Sequence, residues 1–217
     1  SIKNSILLGK NKKILKKSCE LFNNVDKYNY CYLWTWLGIP IIQMPADIMV
    51  TQEIIFQSKP DVIIETGVAR GGSLIFYASM LHLIKKKFSV VGIDVNIKPH
   101  NKKAVLNNKL SENIYLIEGS STDKKVLKKV EKLVRNRKTL VILDSDHSKE
   151  HVLNECNQYS RFVKKNGYLV VADTLLGRLN PKQTPKKRSQ ILFKGNEPLA
   201  AVNEFLKNNR RFKKDKS

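Results

Sequence analysis

The sequence predicts an α/β fold in which a doubly wound, mostly parallel sheet is covered by helices on both faces. Strand-like and helix-like segments alternate along most of the chain, which is typical of parallel β-α-β units with right-handed crossovers. The chain has 217 residues, of which 41% are hydrophobic, enough for one domain with a substantial core. We find neither an internal repeat nor a flexible linker between domains.

Residues 1–45 are predicted to form an N-terminal extension that packs on the core. In residues 1–30, apolar side chains recur between lysines at helical spacing, which predicts an amphipathic helical segment. Residues 31–45 are aromatic and then interrupted by prolines, which favours an ordered loop. Residues 46–217 hold the alternating segments of the main domain.

Five strands and five helices are predicted within this main domain. The first helix ends before Pro60, because proline disfavours the helical conformation of the residue before it. A basic loop with prolines follows the last strand, over residues 177–190. The predicted strands span 62–65, 88–94, 114–120, 139–146 and 167–173, and the helices span 46–59, 72–86, 123–136, 149–164 and 197–209.

The chain is strongly basic, with 40 Lys and Arg residues against 19 Asp and Glu residues and a net charge of +21. This balance is typical of proteins that bind nucleic acid, an anionic membrane or an acidic substrate, but a general abundance of lysine explains it equally well. The lysine runs are scattered and no aromatic RNA-binding motif accompanies them, which argues against a nucleic-acid partner. Peripheral membrane contact through lysines stays open.

Three widely separated cysteines, Cys19, Cys31 and Cys156, form neither a CxxC motif nor a disulfide framework. They favour a reduced protein. The first residues lack the pattern of a signal peptide, and no apolar run reaches the length that spans a bilayer. We therefore expect a cytoplasmic protein without a transmembrane segment.

A glycine-rich segment, residues 65–73 (ETGVARGGS), follows the first strand. Ligands of such sheets bind at the carboxyl ends of the strands, where this segment lies. Gly67 permits a tight turn, while Gly71 and Gly72 let the start of the next helix approach a ligand. The Ser73 hydroxyl and backbone N–H groups are expected to face the same space. A tight turn without a ligand is the alternative.

The residues around these glycines favour a cationic cofactor. A dinucleotide fingerprint requires glycine at position 69, where this chain has Ala69, so the match to that pattern is weak. The carboxylate of Glu65 would repel a pyrophosphate but suits S-adenosylmethionine, which carries an amino group and a sulfonium. Asp94 ends the second strand and is expected to bind the ribose hydroxyls, a device that NAD-binding proteins share.

Two serines follow the third strand. Ser120 and Ser121 are small and polar, and we expect them to contact the adenine edge. The alternative is that they cap the next helix, a role that Asp123 is also suited to.

Carboxylates also end the fourth and fifth strands, at Asp144 and Asp173. Because these strands are predicted neighbours, the two side chains are expected to meet at the cofactor rim and hold Mg²⁺, which prefers oxygen ligands. Such an ion orients a substrate hydroxyl and lowers its pKa. His147 lies one turn beyond Asp144 and is a candidate general base, so Asp144 and His147 are the predicted catalytic residues.

Neighbouring residues of this segment have structural interpretations. Asp146 or Ser148 is suited to cap the following helix. His147 and His151 are four residues apart on one helical face, but a zinc site needs a third ligand, which the sequence does not identify. His151 is therefore expected to be a surface or packed residue.

From Leu33 to Phe212 the chain resembles the cephalosporin hydroxylase family, which includes rhamnosyl O-methyltransferases. The resemblance implies a Rossmann-like methyltransferase sandwich, S-adenosylmethionine as cofactor, often a divalent metal, and methyl transfer to a hydroxyl. Sugars of glycolipids and natural products are the implied acceptors, and the family tends to form oligomers. The segments that carry the resemblance are WLGIPIIQMPADIMVTQEII, PDVIIETGVARGGSLIFYASML, VVGIDVNIKPHN, IEGSS, VILDSDHSKEHVLNECNQYSRFVKKNGYLVVADT and EPLAAVNEFL.

Carried over by position, the resemblance assigns roles to the residues singled out above. Residues 46–217 become a methyltransferase domain, in which Asp94 binds the ribose and the two serines lie near the adenine. Asp144 and Asp173 become metal ligands. The methionine part of the cofactor is assigned to Glu65, Gly67, Gly71, Gly72 and Ser73.

The chain departs from the family pattern at two places. The family usually has Glu-Asp at the end of the fifth strand, where this chain has Ala172 and Asp173. This difference leaves three outcomes open: metal binding is weaker, the site is rebuilt with Asp146, or metal binding is absent. The family also usually continues beyond the segment FKKD into a further strand pair, whereas this chain stops at Ser217, so we expect a sheet lacking its last strands or a truncated sequence.

Acceptor chemistry and two other functions stay open. The basic loop contains Lys186–Arg188, which suits an anionic acceptor such as a nucleotide sugar, with a solvated loop as the alternative. An NAD(P)-dependent oxidoreductase is the second hypothesis, and Glu65 and Ala69 argue against it. A non-catalytic, basic RNA-binding relative is the third, and Ala172 and the net charge keep it open.

Overall fold

The computed structural model describes residues 2–179 and 195–215. It confirms the predicted α/β class, because five parallel strands form one sheet with helices around it. A separate antiparallel pair contains β1 (Thr35–Trp36) and β2 (Ile39–Pro40). The parallel strands are β3 (Val62–Thr66), β4 (Ser89–Asp94), β5 (Ile114–Glu118), β6 (Thr139–Leu143) and β7 (Leu169–Val171). The helices are α1 (Ile2–Lys10), α2 (Lys12–Asp26), α3 (Pro45–Ser58), α4 (Gly72–Ile84), α5 (Pro99–Leu106), α6 (Lys124–Val134), α7 (Lys149–Tyr159) and α8 (Pro198–Asn208).

The strand order places a ligand-binding crevice between β3 and β6. The order is β5-β4-β3-β6-β7, so the chain moves outward from β3 to β5 and then returns to the other side of β3. Thr66 lies opposite Leu143 where β3 and β6 end. Open sheets of this kind bind ligands at the point where the strand order reverses.

Alternating side chains of each strand pack into two cores, one on each face of the sheet. From β3, Val62 and Ile64 pack in the core that contains residues of α6, α7 and α8. Ile63 points the other way and packs with residues of α3, α4 and α5. All residues of β3 and β6 are buried, as expected for strands that are covered on both faces.

The segments before α3 contact the same body. Trp36 of β1 donates its indole N–H to Ser79 Oγ of α4 at 3.0 Å. Phe22 of α2 packs against the segment that follows β7. The boundary between an extension of residues 1–45 and a domain of residues 46–217 stays a prediction.

The observed elements differ from the predicted ones in two respects. Three strands end earlier than predicted, at Glu118, Leu143 and Val171, because residues 119–120, 144–146 and 172–173 leave the sheet and form loops. Helix α5 has no predicted counterpart, since Val105 is its only buried residue and its apolar pattern is weak. Of the basic loop predicted over 177–190, residues 180–190 lie outside the described residues. In the described ranges, no helix combines the length and the apolar character needed to cross a membrane.

Candidate active site

A cavity of about 1360 Å³ opens at the carboxyl ends of the strands. The loops after all five parallel strands border it, and helices α2 and α3 supply much of the remaining wall. Small-molecule sites usually occupy about 300–1,000 Å³, so this cavity has room for more than one ligand. The predicted site residues that line it are Gly67, Asp94, Ser121, Asp144, His147 and Asp173.

Gly67 joins the end of β3 closely to the end of β6. Its φ is 91°, in the left-handed region that favours glycine. A Cβ atom here would overlap the carbonyl oxygen of Asp144. The N–H of Asp144 in turn donates to the carbonyl of Thr66 at 2.9 Å. This close contact fixes the position from which the Asp144 side chain reaches the cavity.

Gly71 and Gly72 are required by packing between neighbouring elements. Gly71 has a φ of 84°, and a Cβ atom there would overlap the side chain of Val105 in α5. A Cβ atom on Gly72 would overlap the carbonyl group of Pro40 in β2. Neither glycine is among the described residues that line the cavity, and their contact with a cofactor stays a prediction.

The Glu65 side chain is completely buried. Its carboxylate oxygens accept hydrogen bonds from Ser73 Oγ at 2.7 Å and from Tyr77 OH at 2.8 Å. Loss of hydration raises the pKa of Glu65 to about 8, and the charge of Asp144 acts in the same direction. Glu65 is therefore largely protonated at neutral pH, and direct contact of Glu65 or Ser73 with a cationic cofactor stays a prediction.

Asp94 anchors the glycine-rich loop and also lines the cavity. Its Oδ2 accepts hydrogen bonds from the N–H groups of Val68 and Ala69, both at 3.0 Å, and Oδ1 accepts one from Asn96 N–H at 3.0 Å. These bonds accompany a left-handed conformation at Ala69, with a φ of 45°. A carboxylate has about four acceptor positions, so Asp94 keeps about one for the predicted ribose contact.

The two serines after β5 differ in position. Ser121 is buried at the cavity wall, and its Oγ lies 3.0 Å from Nε2 of His151. The hydroxyl of Ser120 lies 3.1 Å from that of Thr122, and Ser120 is not among the described cavity-lining residues. Asp123 caps α6 through a backbone N–H of the first turn, so the capping role does not fall to the serines.

His151, expected to be a surface or packed residue, lines the cavity. Its Nε2 lies 3.4 Å from Oε1 of Glu155, one turn further along α7. Glu155 is completely buried and also accepts a hydrogen bond from Ser145 Oγ at 2.7 Å. The neighbouring Glu155 carboxylate raises the pKa of His151. The spacing of four residues was the only sequence signal for this pair.

Asp144, His147 and Asp173 converge at the cavity, and their metal-binding atoms lie within 4.8 Å of one another. Nε2 of His147 lies 3.5 Å from Oδ1 of Asp144 and 3.1 Å from Oδ2 of Asp173. Burial raises the pKa of Asp144 to about 6. The nearby His147 lowers this pKa and the charge of Asp173 raises it further. Burial disfavours a charged imidazole at His147, but the two carboxylates outweigh this effect and raise its pKa. The predicted metal ligands and catalytic residues are thus brought together.

A further carboxylate beside this cluster, Asp47 in the first turn of α3, was not predicted. The residue as a whole is exposed to solvent, but its carboxyl group is partly desolvated by the cavity wall. This desolvation, together with the charge of Asp173, raises the pKa of Asp47. An acid in the first turn of a helix is explained by the helix dipole alone, so no feature of the sequence marked Asp47 as a site residue. Asp146 serves the start of α7, where it accepts the N–H of Ser148 at 2.7 Å.

A model of the Rhamnosyl O-methyltransferase/CmcI family matches residues 28–217. The chain belongs to this family. The resemblance carried by the sequence segments is thereby confirmed, and helices α1 and α2 precede the matched region.

Individual members of the Rhamnosyl O-methyltransferase/CmcI family agree with this match. A rhamnosyl O-methyltransferase of Mycobacterium bovis is 31% identical over 142 residues, which are 64% of this chain and 56% of that protein. The match therefore spans little more than half the length of this curated relative. CmcI, whose structure was solved with Mg and SAM, has a TM-score of 0.53 at 19% identity, over 79% of this chain and 67% of that chain.

A second solved structure covers more of the chain. A Staphylococcus aureus protein, provisionally described as a caffeoyl-CoA O-methyltransferase, has a TM-score of 0.56 at 15% identity. The likeness covers 94% of this chain and 87% of that chain. At such identities the solved structures show the fold alone, and they confirm the Rossmann-like methyltransferase sandwich.

Proposed function

We propose that the chain is a catalytic domain of an S-adenosylmethionine-dependent O-methyltransferase that methylates a hydroxyl of a sugar, glycolipid or natural product, assisted by a divalent metal. One observation carries this proposal: the loop anchored by Asp94 and the cluster around His147 line the same cavity. Direct transfer requires donor and acceptor to be held together in one space. The name of the mycobacterial relative supports a sugar hydroxyl as the acceptor.

The residues around the cavity fit a cofactor with a ribose and a positive charge. Asp94 keeps an acceptor position for a ribose hydroxyl, and Ser121 offers a small polar surface at the end of β5. The carboxylates of Asp47, Asp144 and Asp173 make the other part of the cavity negative, which favours a sulfonium. The complex of CmcI with Mg and SAM supports the same cofactor here.

The cluster also fits a divalent metal ion. Nε2 of His147 is buried and, within the described residues, has no hydrogen-bond partner despite the two carboxylates nearby. Buried polar atoms are normally satisfied, and a cation shared with the two carboxylates would satisfy this nitrogen. When bound, the cofactor supplies the methyl group and the metal polarises the acceptor hydroxyl.

The chain's own residues position the reactants and receive the proton. Asp94 holds the glycine-rich loop in place through two hydrogen bonds. Asp144 and Asp173 would hold the metal ion at the end of the cavity where the acceptor hydroxyl binds. His147 is the predicted general base, but its Nε2 is enclosed by carboxylates and does not face the open cavity. Asp47 does face it and has a raised pKa, which suits Asp47 to accept the hydroxyl proton.

The apolar wall of the cavity supports an acceptor with an apolar part. Leu15 and Phe22 of α2 and Val50 and Ile54 of α3 line this wall. Burial of apolar surface favours binding, so a sugar attached to a lipid or an aromatic group fits better than a free sugar. The residues Lys186–Arg188, predicted to meet an anionic acceptor, lie outside the described residues.

Ligand-dependent thermal stability tests the proposal. A ligand at about 100 times its Kd stabilises a protein by about 2.7 kcal/mol. We expect this stabilisation from S-adenosylmethionine and S-adenosylhomocysteine but not from NAD. Asp94→Ala should abolish it, whereas Asp123→Ala, an aspartate outside the cavity wall, should lower the Tm yet keep the ligand effect. A folded wild-type chain that responds to neither adenosyl ligand contradicts the proposal.

Transfer of labelled methyl groups to a panel of glycolipids then identifies the acceptor.

A further inference from the structure

We infer that the metal site selects a divalent transition-metal ion over Mg²⁺, with Nε2 of His147 as a ligand beside the carboxylates of Asp144 and Asp173. This inference rests on the proposed function, because it concerns the metal of the same site. It changes the role of His147 from general base to metal ligand. It also adds a third ligand to Asp144 and Asp173, the two metal ligands that the sequence predicts.

Atom separations in the cluster match those of atoms that share one ion. Metal bonds of about 2.1 Å place neighbouring ligands about 3.0 Å apart in octahedral geometry and about 3.4 Å apart in tetrahedral geometry. Nε2 of His147 lies 3.1 Å from Oδ2 of Asp173 and 3.5 Å from Oδ1 of Asp144. His147 is therefore placed to share an ion with either carboxylate, and the ligand atoms of all three groups lie within 4.8 Å of one another.

The imidazole nitrogen makes no hydrogen bond in this position. Nε2 of His147 is buried and has no partner of suitable geometry in the described ranges, even though Asp173 lies at 3.1 Å. A histidine that serves only to bridge two aspartates would direct its N–H at one of them. In a metal site the same nitrogen is unprotonated and binds the ion that the two carboxylates share.

The backbone of Asp173 also departs from the ordinary at this point. Its φ is 54°, a left-handed conformation that side chains other than those of Asn and Asp rarely adopt. Such residues cost free energy and occur where the surroundings require a particular side-chain position. Here the conformation follows directly after β7 and accompanies the approach of the carboxylate to His147.

The donor set decides which ion the site prefers. Mg²⁺ prefers oxygen ligands and keeps several waters, whereas imidazole nitrogen suits the transition ions and zinc. One imidazole and two carboxylates therefore favour Mn²⁺, Fe²⁺, Co²⁺ or Zn²⁺. The cluster found in the described residues contains no thiolate, so it gives no preference to ions that require sulfur.

Metal titrations of the chelator-treated, dialysed chain test this inference. Thermal stability and calorimetry are measured with MgCl₂, MnCl₂, CoCl₂ and ZnCl₂. We expect at least a tenfold lower Kd for Co²⁺ and Zn²⁺ than for Mg²⁺. His147→Ala should remove this difference, chiefly by weakening Co²⁺ and Zn²⁺. His151→Ala is the matched control, because His151 also lines the cavity but lies outside the metal cluster, and it should keep the difference.

A measurement on the wild-type chain keeps the test valid if His147→Ala does not fold. Electron spin-echo spectroscopy of the Mn²⁺-bound chain should show a directly coupled imidazole nitrogen. Absence of that nitrogen signal, or equal affinity for Mg²⁺ and Co²⁺, overturns the inference. An equal loss of Co²⁺ binding in His151→Ala overturns it too, because the ion would then lie elsewhere.

S-adenosylmethionine binding, measured on the same samples, separates this inference from the proposed function. A chain that binds S-adenosylmethionine but prefers Mg²⁺ retains the proposed function and refutes the role of His147. A chain that prefers Co²⁺ and Zn²⁺ through His147 but binds no adenosyl ligand supports the metal site and refutes the proposed function.

Discussion

Replacing Glu65 by glutamine is expected to remove a large part of the pH dependence of folding. The carboxyl is completely buried, and its pKa is raised from 4.5 to about 8, mainly by loss of hydration. A tenfold change in proton affinity corresponds to about 1.4 kcal/mol, so ionising Glu65 in the folded chain costs about 5 kcal/mol.

The sign of the effect follows from the raised pKa. Below pH 4.5 the Glu65 carboxyl is protonated in both the folded and the unfolded chain, and its contribution to stability is fully present. Between pH 4.5 and about 8 the unfolded chain loses this proton first, so stability falls with rising pH. Above that range the ionised carboxylate is buried in the folded chain, and the loss is complete.

Glutamine preserves the shape and the hydrogen bonds of the protonated carboxyl. The hydroxyls of Ser73 and Tyr77 both contact Glu65, and each can donate or accept, so the amide satisfies both. We expect Glu65→Gln to match the wild type near pH 4 and to gain about 3 kcal/mol over it between pH 5.5 and pH 8. Urea unfolding at several pH values measures the difference.

An exposed glutamate provides the control for this experiment. Glu53→Gln should change the free energy of unfolding by less than about 1 kcal/mol, because the Glu53 side chain lies in solvent in the middle of α3. Parallel pH profiles for Glu65→Gln and the wild type would refute the argument. If Glu65 also faces the charge of the cofactor, affinity for S-adenosylmethionine should rise with pH in the wild type and not in Glu65→Gln.

Two further predictions concern stability. Gly67→Ala should lower the free energy of unfolding by at least about 3 kcal/mol in a urea titration, because the new Cβ overlaps the carbonyl of Asp144 at a left-handed φ. Gly9→Ala, in α1 with open space around it, should instead raise it by up to about 1 kcal/mol. Asp61→Asn should lower the free energy of unfolding by about 1 kcal/mol at pH 7, because it removes the ion pair with Lys85. Partial burial alone would raise the pKa of Asp61, but the interaction with Lys85 outweighs burial and lowers it. The loss of stability should shrink as the pH falls below 4, and an unchanged loss at pH 3 would contradict it.

The sheet could be predicted from the sequence because its strands are unusually uniform. Every residue of β3 and of β6 is buried, and apart from Glu65 both strands consist of apolar or β-branched side chains, so each forms a short continuous run that the sequence reveals. The carboxyl ends of strands were less predictable, since pairing with a neighbour decides where a strand stops. Helix α5 escaped prediction because one buried residue, Val105, does not make a periodic pattern.

The site was predictable where its residues end strands. Asp94, Asp144 and Asp173 follow three strands of the sheet, and topology alone brings such residues to one rim. Asp47 was not predictable, because it reaches the cavity from a helix that precedes the sheet in the chain. The enclosure of His147 between two carboxylates is likewise a tertiary contact that spacing does not reveal.

Overall charge and site charge have opposite signs in this chain, which explains why composition did not identify the ligand. The net charge of +21 comes from lysines scattered over the surface, and ions in solution screen such charges within about 10 Å. Inside the cavity, the carboxylates of Asp47, Asp144 and Asp173 lie together; burial is the main cause of the raised pKa values of Asp47 and Asp144, and repulsion by the charge of Asp173 adds to it. Cations that reach the cavity relieve this repulsion. We therefore propose that the local carboxylates, and not the basic surface, determine which ligands the site accepts.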